Sequence, residues 1–448
     1  MTTTSKLSRL ALALVAVTAA GCSFDIQNPN TPDVIGPDPS RSVVAATANG
    51  ILIATRADVA DWALDGGIFG REAYRFDGSD PRFTGEMMQG PLDPGSRAFG
   101  GDHWAEEYTA IRTANDLLAV INTASALTAE EQSATSGFAH TLQAYNFMIV
   151  LDAHTQDSIP IDVGTNVNAE PAPFVTNAEA YAHVVSLLDQ AAAELAAGGG
   201  AFPFALPGGF TGFETPATFV LFNRALRARV AVYTGDYAGA LTALAGSFLN
   251  TGGALDQGVY MDYSAGTGDQ PNTLSLEPTT GENVAHPSLE PEAQLQPGGA
   301  PDARLFSKVV KLANDRTGGA PDVLSTDLGW IRYPSPNSTI PLIKNEELIL
   351  LRAEANINLS NFGPAVADLD LVRTSSGGLA PYAGPVDQPS LITELLYNKR
   401  YSLLYEGGHS WVDYRRYGRL ADLEGFDRPD DVIFTTLPIP TAEVQARQ

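Results

Sequence analysis

The chain of 448 residues holds a single cysteine, Cys22. An internal disulfide and a thiolate metal cluster are therefore excluded. Basic residues are scarce: 27 Lys and Arg stand against 52 Asp and Glu, a net charge of −25. Nucleic-acid binding needs a basic footprint, so that class is excluded too. The same charge disfavours lying flat on anionic lipid and favours solubility. Catalytic signatures are missing. The six histidines form no His-Glu-x-x-His pairing, and there is no Gly-x-Ser-x-Gly elbow or phosphate-cradling Gly-Lys-Ser/Thr loop. No cofactor and no metal site is expected. Carboxylates are plentiful and nothing singles out one glycosidase pair, so a surface glycosidase or protease stands only as an alternative to a non-enzymatic protein. A helical-repeat adaptor without a small ligand is the third reading.

Long apolar runs are missing as well. Leu10 to Ala20 is apolar for 11 residues after Lys6 and Arg9, whereas a spanning helix needs ~20. A positive start, a short apolar run and small residues before a cut site describe a secretory signal over residues 1–21. Ala19-Ala20-Gly21-Cys22 looks like a bacterial lipobox, in which the cysteine is acylated and becomes the new N-terminus. Buried acyl chains contribute ~0.8 kcal/mol per CH₂, and more than one chain gives stable anchoring. Ser23 rather than aspartate follows, which favours the outer membrane. Residues 22–41, rich in Pro, Asn and Asp, read as the acylated cysteine and its tether.

The rest is helical in pattern, and the expected fold class is mostly α. Trp104, Tyr108, Ile111, Asn115 and Leu118 recur at spacings of four and three, one face of a helix. Residues 129–154 and 177–197 give further helices, the latter with Asn177 as its expected cap. Residues 216–249 form a helical hairpin broken at Gly235-Asp236, with Ala225, Ala228 and Ala240 allowing close approach. A second hairpin covers 345–375, and a helix covers 389–406. Such pairs resemble tetratricopeptide hairpins, and four of them are expected. Two segments are loop-rich, about 66–101 and 252–335, with a short β-hairpin at most. Loops this long are functional or disordered. All of 42–448 is expected to be one domain.

The C-terminal third carries the sharpest motifs: Lys344 to Ala355 (KNEELILLRAEA), Leu369 to Arg373 (LDLVR), Tyr405 to Gly418 (YEGGHSWVDYRRYG) and Leu437-Pro-Ile-Pro440. Together with Trp104, Tyr108, Ile111, Ala114 and Asn115, Ile159-Pro160, Asn28-Pro29 and the lipobox, these resemble the SusD/RagB family of nutrient-uptake outer-membrane lipoproteins. The likeness is loosest over 252–335. Asn398, Lys399 and Ser402 stand where the family carries charged residues before Glu406, Gly407-Gly408 holds one extra glycine, and Ser410 replaces an arginine. The resemblance implies a tetratricopeptide-like scaffold that packs against a SusC-like TonB-dependent transporter. It also implies a lid role, an oligosaccharide or peptide ligand held on loops away from the scaffold face, and a place on the cell exterior.

Arg352, Glu354, Arg373, Glu406, Asp413 and Arg415 are read as ion pairs that lock helices, since arginine's planar fork suits carboxylates and helix carbonyls. Asn115 is read as a satisfied core amide. Ligand contacts are sought among loop aromatics, because sugars offer apolar faces and hydroxyls. The candidates are Tyr74, Phe76, Phe83, Tyr260, Tyr263, Trp330 and Tyr333, with Arg332 between the last two. The competing reading makes the same rings loop-anchoring core residues.

Overall fold

The computed structural model describes residues 35–95, 102–155, 158–166, 169–319 and 323–448. The signal, Cys22 and most of the tether lie outside them. In chain order the described elements are α1 (Arg41–Phe69), β1 (Ala73–Arg75), α2 (Asp102–Ile121), α3 (Ala129–Ala153), α4 (Asn177–Ala196), α5 (Pro216–Tyr233) and α6 (Tyr237–Ala245). Strands β2 (Gly258–Met261), β3 (Asn283–Ala285), β4 (Val309–Gly318), β5 (Leu324–Trp330) and β6 (Ile340–Lys344) follow. The chain ends with α7 (Asn345–Asn358), α8 (Phe362–Ser375), α9 (Gln388–Ser402), α10 (His409–Arg416) and α11 (Thr441–Gln445).

Local chemistry starts these helices where the pattern predicts. Thr128 with Glu131 and Thr176 with Glu179 form capping boxes at α3 and α4, each satisfying two orphan N–H groups. The cap of α4 is thus Thr176, one residue before the expected Asn177. Thr215 caps α5, with Pro216 at the first helical position, where its missing N–H costs nothing. Asp236 accepts from Gly239 N to open α6 across the expected break.

Helices α1 to α8 each pack against the next, α9 lies on α7 and α8, and α10 returns to α1. The mostly-α expectation holds, and the α5–α6 and α7–α8 hairpins lie where the sequence places them. Small residues set the spacing: Ala225, Ala228 and Ala240 are fully buried. By length and composition α1 could cross a membrane, but its second half, including Trp62, Ile68 and Phe69, is core. Residues Gly36–Gln448 form one compact unit.

The loop-rich segments hold more sheet than a short hairpin. β1, from the first segment, pairs antiparallel with β3 from the second, and a four-stranded sheet runs β1-β3-β5-β4. Separately, β2 pairs with β6 just before α7. Strand pairing between segments about 200 residues apart leaves no local periodicity, which is why both read as loops.

Five of the six charged residues read as locking ion pairs form them, and Arg415 bonds backbone carbonyls instead. Glu354 meets Lys399 at 2.7 Å and Arg416 at 2.7 Å, and Asp413 meets the same two cations at 2.9 and 2.7 Å. Arg352 grips Asp368, and Arg373 pairs with Glu394. Arg415 donates to the Asp152 carbonyl at 2.7 Å and lies over Trp411. Glu406 is 4% exposed and receives Lys308 at 3.2 Å, Lys344 at 2.8 Å and Arg332 at 3.1 Å. Burial opposes its charge, but the three cations overcome that and hold the carboxyl well below its usual range. Lys399, noted above for its departure from the resemblance, pairs with both Glu354 and Asp413.

The extra glycine also has a place. Gly408 adopts φ 67° and leads into α10. A Cβ on Gly66 of α1 would sit 2.5 Å from the Gly408 Cα. Backbone there cannot rotate away, so Gly66→Ala is expected to cost about 1–3 kcal/mol by overpacking. Gly50→Ala on the same helix meets only Thr113 Cγ2 at 3.7 Å and should stabilise by up to about 1 kcal/mol through helix propensity. Thermal unfolding midpoints moving in opposite directions would bear this out, and a neutral Gly66→Ala would refute the contact.

Candidate functional site

The N-terminal half of α2 forms the floor of a groove of about 1160 Å³. One wall is made by described residues of the loop, within 160–166 and 169–173, and the other by Pro440 to Arg447, with Pro94 and Gly95 at the rim. Five prolines (94, 160, 171, 173 and 440) line it. Their rings fix the backbone and offer apolar faces. Groove dimensions and composition are those of a site for a small molecule or short chain.

The floor is braced from below. Trp104 lies edge-on to His154 at 5.1 Å and to Phe174 at 6.1 Å, and tilts against Tyr108 at 5.1 Å. Its ring is buried, so only an edge reaches the groove, while Tyr108 is half-buried. The Tyr108 hydroxyl donates to the Pro160 carbonyl at 2.7 Å. Burial, then the nearby Glu443, pushes this phenol well above its usual range, so it stays a neutral donor. Asn115 donates to the Val163 carbonyl at 2.7 Å and accepts from Gln143 at 2.6 Å, the satisfied amide the sequence implies.

Each wall is pinned to this floor. Arg112 donates to the Thr165 carbonyl. Arg447 lies over Phe174 at 4.3 Å, donates to the Ala172 carbonyl from two nitrogens, and pairs with Glu443 at 2.5 Å. Thr441 N donates to the Pro94 carbonyl at 2.8 Å. Groove shape thus depends on the chain's last turn. Among the described residues the lining holds no His, Cys, Ser or Lys. Among the described residues, no group of three or more His, Cys, Asp or Glu is arranged to hold a metal.

None of the eight residues singled out in the sequence lines this groove. Trp330 is buried and stacks on Tyr405 at 4.1 Å, with the ring planes 8° apart. Tyr333 is buried and donates to the Tyr405 carbonyl at 2.8 Å. Arg332 pairs with Glu406 and lies over Tyr333 at 4.9 Å. Tyr74 bonds Asp427 in the interior and stacks on the half-buried Phe76. Phe83 sits beneath the Arg75 guanidinium at 4.3 Å. Tyr263 is buried, with its hydroxyl 3.4 Å from the Arg56 carbonyl. Tyr260 is half-buried and lines a separate 310 Å³ pocket with Asp256 and Asp262. Loop anchoring, the competing reading of these rings, describes where most of them sit. The missed residues are on the 160–173 loop and the chain end. Pro171-Ala-Pro173 was the available signal, since closely spaced prolines build a rigid wall.

No family model and no curated protein sequence matches the chain. Solved structures do. A SusD superfamily protein from Bacteroides vulgatus ATCC 8482 superposes with TM-score 0.68 at 13% identity, over 91% of this chain and 97% of that one. A laminarin-binding SusD-like protein gives 0.64 at 16% identity, over 91% and 98%. Surface glycan-binding protein A from Bacteroides fluxus gives 0.67 at 15% identity, over 91% and 96%. With this agreement along nearly its whole described length, the chain has the fold of the SusD superfamily.

Proposed function

We propose that this protein is a lipid-anchored glycan-capture protein of the outer membrane, facing the exterior, and that it serves as lid to a SusC-like TonB-dependent barrel. It binds and does not catalyse. The observation that carries the reading is the proline-walled groove on a fold shared with a laminarin-binding protein and a surface glycan-binding protein. The tether and the acylated Cys22 supply the anchor and the freedom for the lid to open.

Calorimetric titration with a panel of oligosaccharides and short peptides tests the binding. A saturable glycan isotherm without product release is expected. Thr109 is exposed on the groove floor, so Thr109→Trp fills the site without touching the core. It should weaken binding at least about tenfold, as loss of a ligand's buried area would, and leave the melting temperature unchanged. Binding unaffected by this substitution would move the site elsewhere. Isolation of the native complex from membranes tests the barrel partner, and mass spectrometry of the mature N-terminus tests acylation. A protein recovered alone, or Cys22 unmodified, would refute those parts.

A further inference from the structure

Tyr260, singled out in the sequence, lines a pocket of about 310 Å³ that shares no lining residue with the groove. The ring is placed there by an irregularity in the sheet. Along β2 the register against β6 slips between Val259 and Tyr260, and a bulge of this kind re-aims the side chain beside it. The Tyr260 hydroxyl donates to the Asp256 carbonyl, which fixes the ring by its edge. Gly209 forms another part of the lining. A Cβ there would sit 2.1 Å from the Tyr260 carbonyl oxygen, so backbone packs on backbone and only glycine fits. Gly209 N donates to Asp262 Oδ2 at 2.6 Å, and Arg56 holds the Asp262 carbonyl at 3.3 Å. Asp262 is thereby oriented, and its Oδ1 accepts from no described residue. Asp256 and Gln257 line the same pocket and are exposed, and Thr339 is half-buried there. These three side chains have no hydrogen-bond or ion-pair partner among the described residues.

We infer that this pocket is a second sugar subsite, which seats one neutral pyranose with an apolar face on Tyr260 and hydroxyls on Asp256, Asp262 and Gln257. This rests on the glycan-capture reading and adds a site to it. The volume is at the lower end for ligand sites, enough for a single ring and not for a chain. A sugar hydroxyl donating to a carboxylate makes a hydrogen bond about twice as strong as a neutral one, and the Gln257 amide both donates and accepts. The aromatic face is what separates a sugar subsite from a bare pair of carboxylates. A second foothold on the same chain lengthens the hold on a polymer already bound at the groove.

The test is ligand-observed NMR on the full mature chain carrying Thr109→Trp, which blocks the groove. The probes are the methyl glycosides of glucose, galactose and mannose, and calcium chloride alone. At least one glycoside is expected to bind at a single site. Asp256→Asn should weaken that binding about tenfold, the scale of one hydrogen bond to a charged group, and leave the melting temperature unchanged. Tyr260→Leu should weaken it by about the same factor, and Tyr260→Phe by no more than about threefold, because the aromatic face contributes beyond its area. In the parent chain Asp256→Asn should leave the groove's own isotherm in place. Glycoside binding that is absent from the Thr109→Trp chain, or that survives either Asp256→Asn or Tyr260→Leu, overturns the inference and leaves glycan capture at the groove standing. So does a melting temperature raised by calcium in the parent but not in Asp256→Asn, with no glycoside bound, since the pocket is then a cation site. A parent chain that binds no glycan of any length overturns both readings.

Discussion

Glu406→Gln is expected to be the most damaging single substitution in this chain, removing about 3–5 kcal/mol and with it most of the folding free energy. The reason is the company the carboxylate keeps. Three cations converge on it, and two of them, Lys308 and Lys344, are themselves buried. The lysines also reach the Ser402 carbonyl at the end of α9. They therefore tie together the segments before β4, before α7 and after α9. Burial already pushes Lys308 down to about 7 despite Glu406. Without the carboxylate, Lys308 must lose its proton or stay charged without an ion-pair partner, and Lys344 keeps only Glu346 at 3.5 Å, so either course is costly. Arg332 is the outermost of the three, with its side chain 23% exposed. Arg332→Gln alone should therefore cost far less. Added to Glu406→Gln, it should recover part of the loss, a coupling that a double-mutant cycle in urea would read directly. A Glu406→Gln protein melting within two degrees of the parent would show that the cluster holds nothing together.

The legible part of the fold is the part made by neighbours in sequence. Asp236 after Gly235 and the spacing of Ala225 and Ala228 act within a turn or two, so hairpin breaks follow from reading along the chain, while the cap of α4 was read one residue late, at Asn177 instead of Thr176. Arg352, Glu354 and Asp413 were assignable as structural because charges recurring on apolar helix faces must find partners. What escaped was made by distance. Trp330 and Tyr333 look like a loop platform until Tyr405 is placed between them, and nothing near Trp330 announces a ring some 75 residues later. Alternation along β5 buries Leu324, Thr326 and Leu328 alike, but a seven-residue strand inside a Gly- and Pro-rich segment is too short to outweigh its surroundings. The groove is harder still. Its floor was visible as the Trp104–Tyr108 face, yet its walls come from a loop and a chain end that meet only through contacts such as Arg447 with the Ala172 carbonyl. A backbone carbonyl as partner leaves no residue-type signature to search for.

Glu72→Gln should give the opposite result from Glu406→Gln, and a result that depends on pH. Glu72 is fully buried in the link from α1 to β1. One carboxyl oxygen accepts from Tyr405 N at 2.9 Å, and the other has no partner among the described residues. Burial pushes it up to about 8, with the Tyr405 amide and Arg400 opposing and Glu406 assisting. An acid raised in the folded state is ionised earlier in the unfolded chain, so the folded protein holds more protons. Stability is whole below about 4.5, falls as pH climbs, and levels off past about 8. Between pH 4.5 and 7 the loss is roughly 3 kcal/mol at one pKa unit per 1.36 kcal/mol. A glutamine cannot ionise and keeps the acceptor for Tyr405 N, but its amide hydrogens meet no acceptor, a pH-independent cost of about 1 kcal/mol. Two stability curves should therefore cross: the variant slightly weaker at pH 5, about 2 kcal/mol stronger at pH 7, and about 3.5 kcal/mol stronger at pH 9. Urea unfolding across that range measures the difference directly, and other raised carboxyls such as Asp152 cancel because both proteins carry them. Two curves that stay parallel would mean that Glu72 is charged in the folded protein. Its unpartnered oxygen would then have to be met by water from the interior.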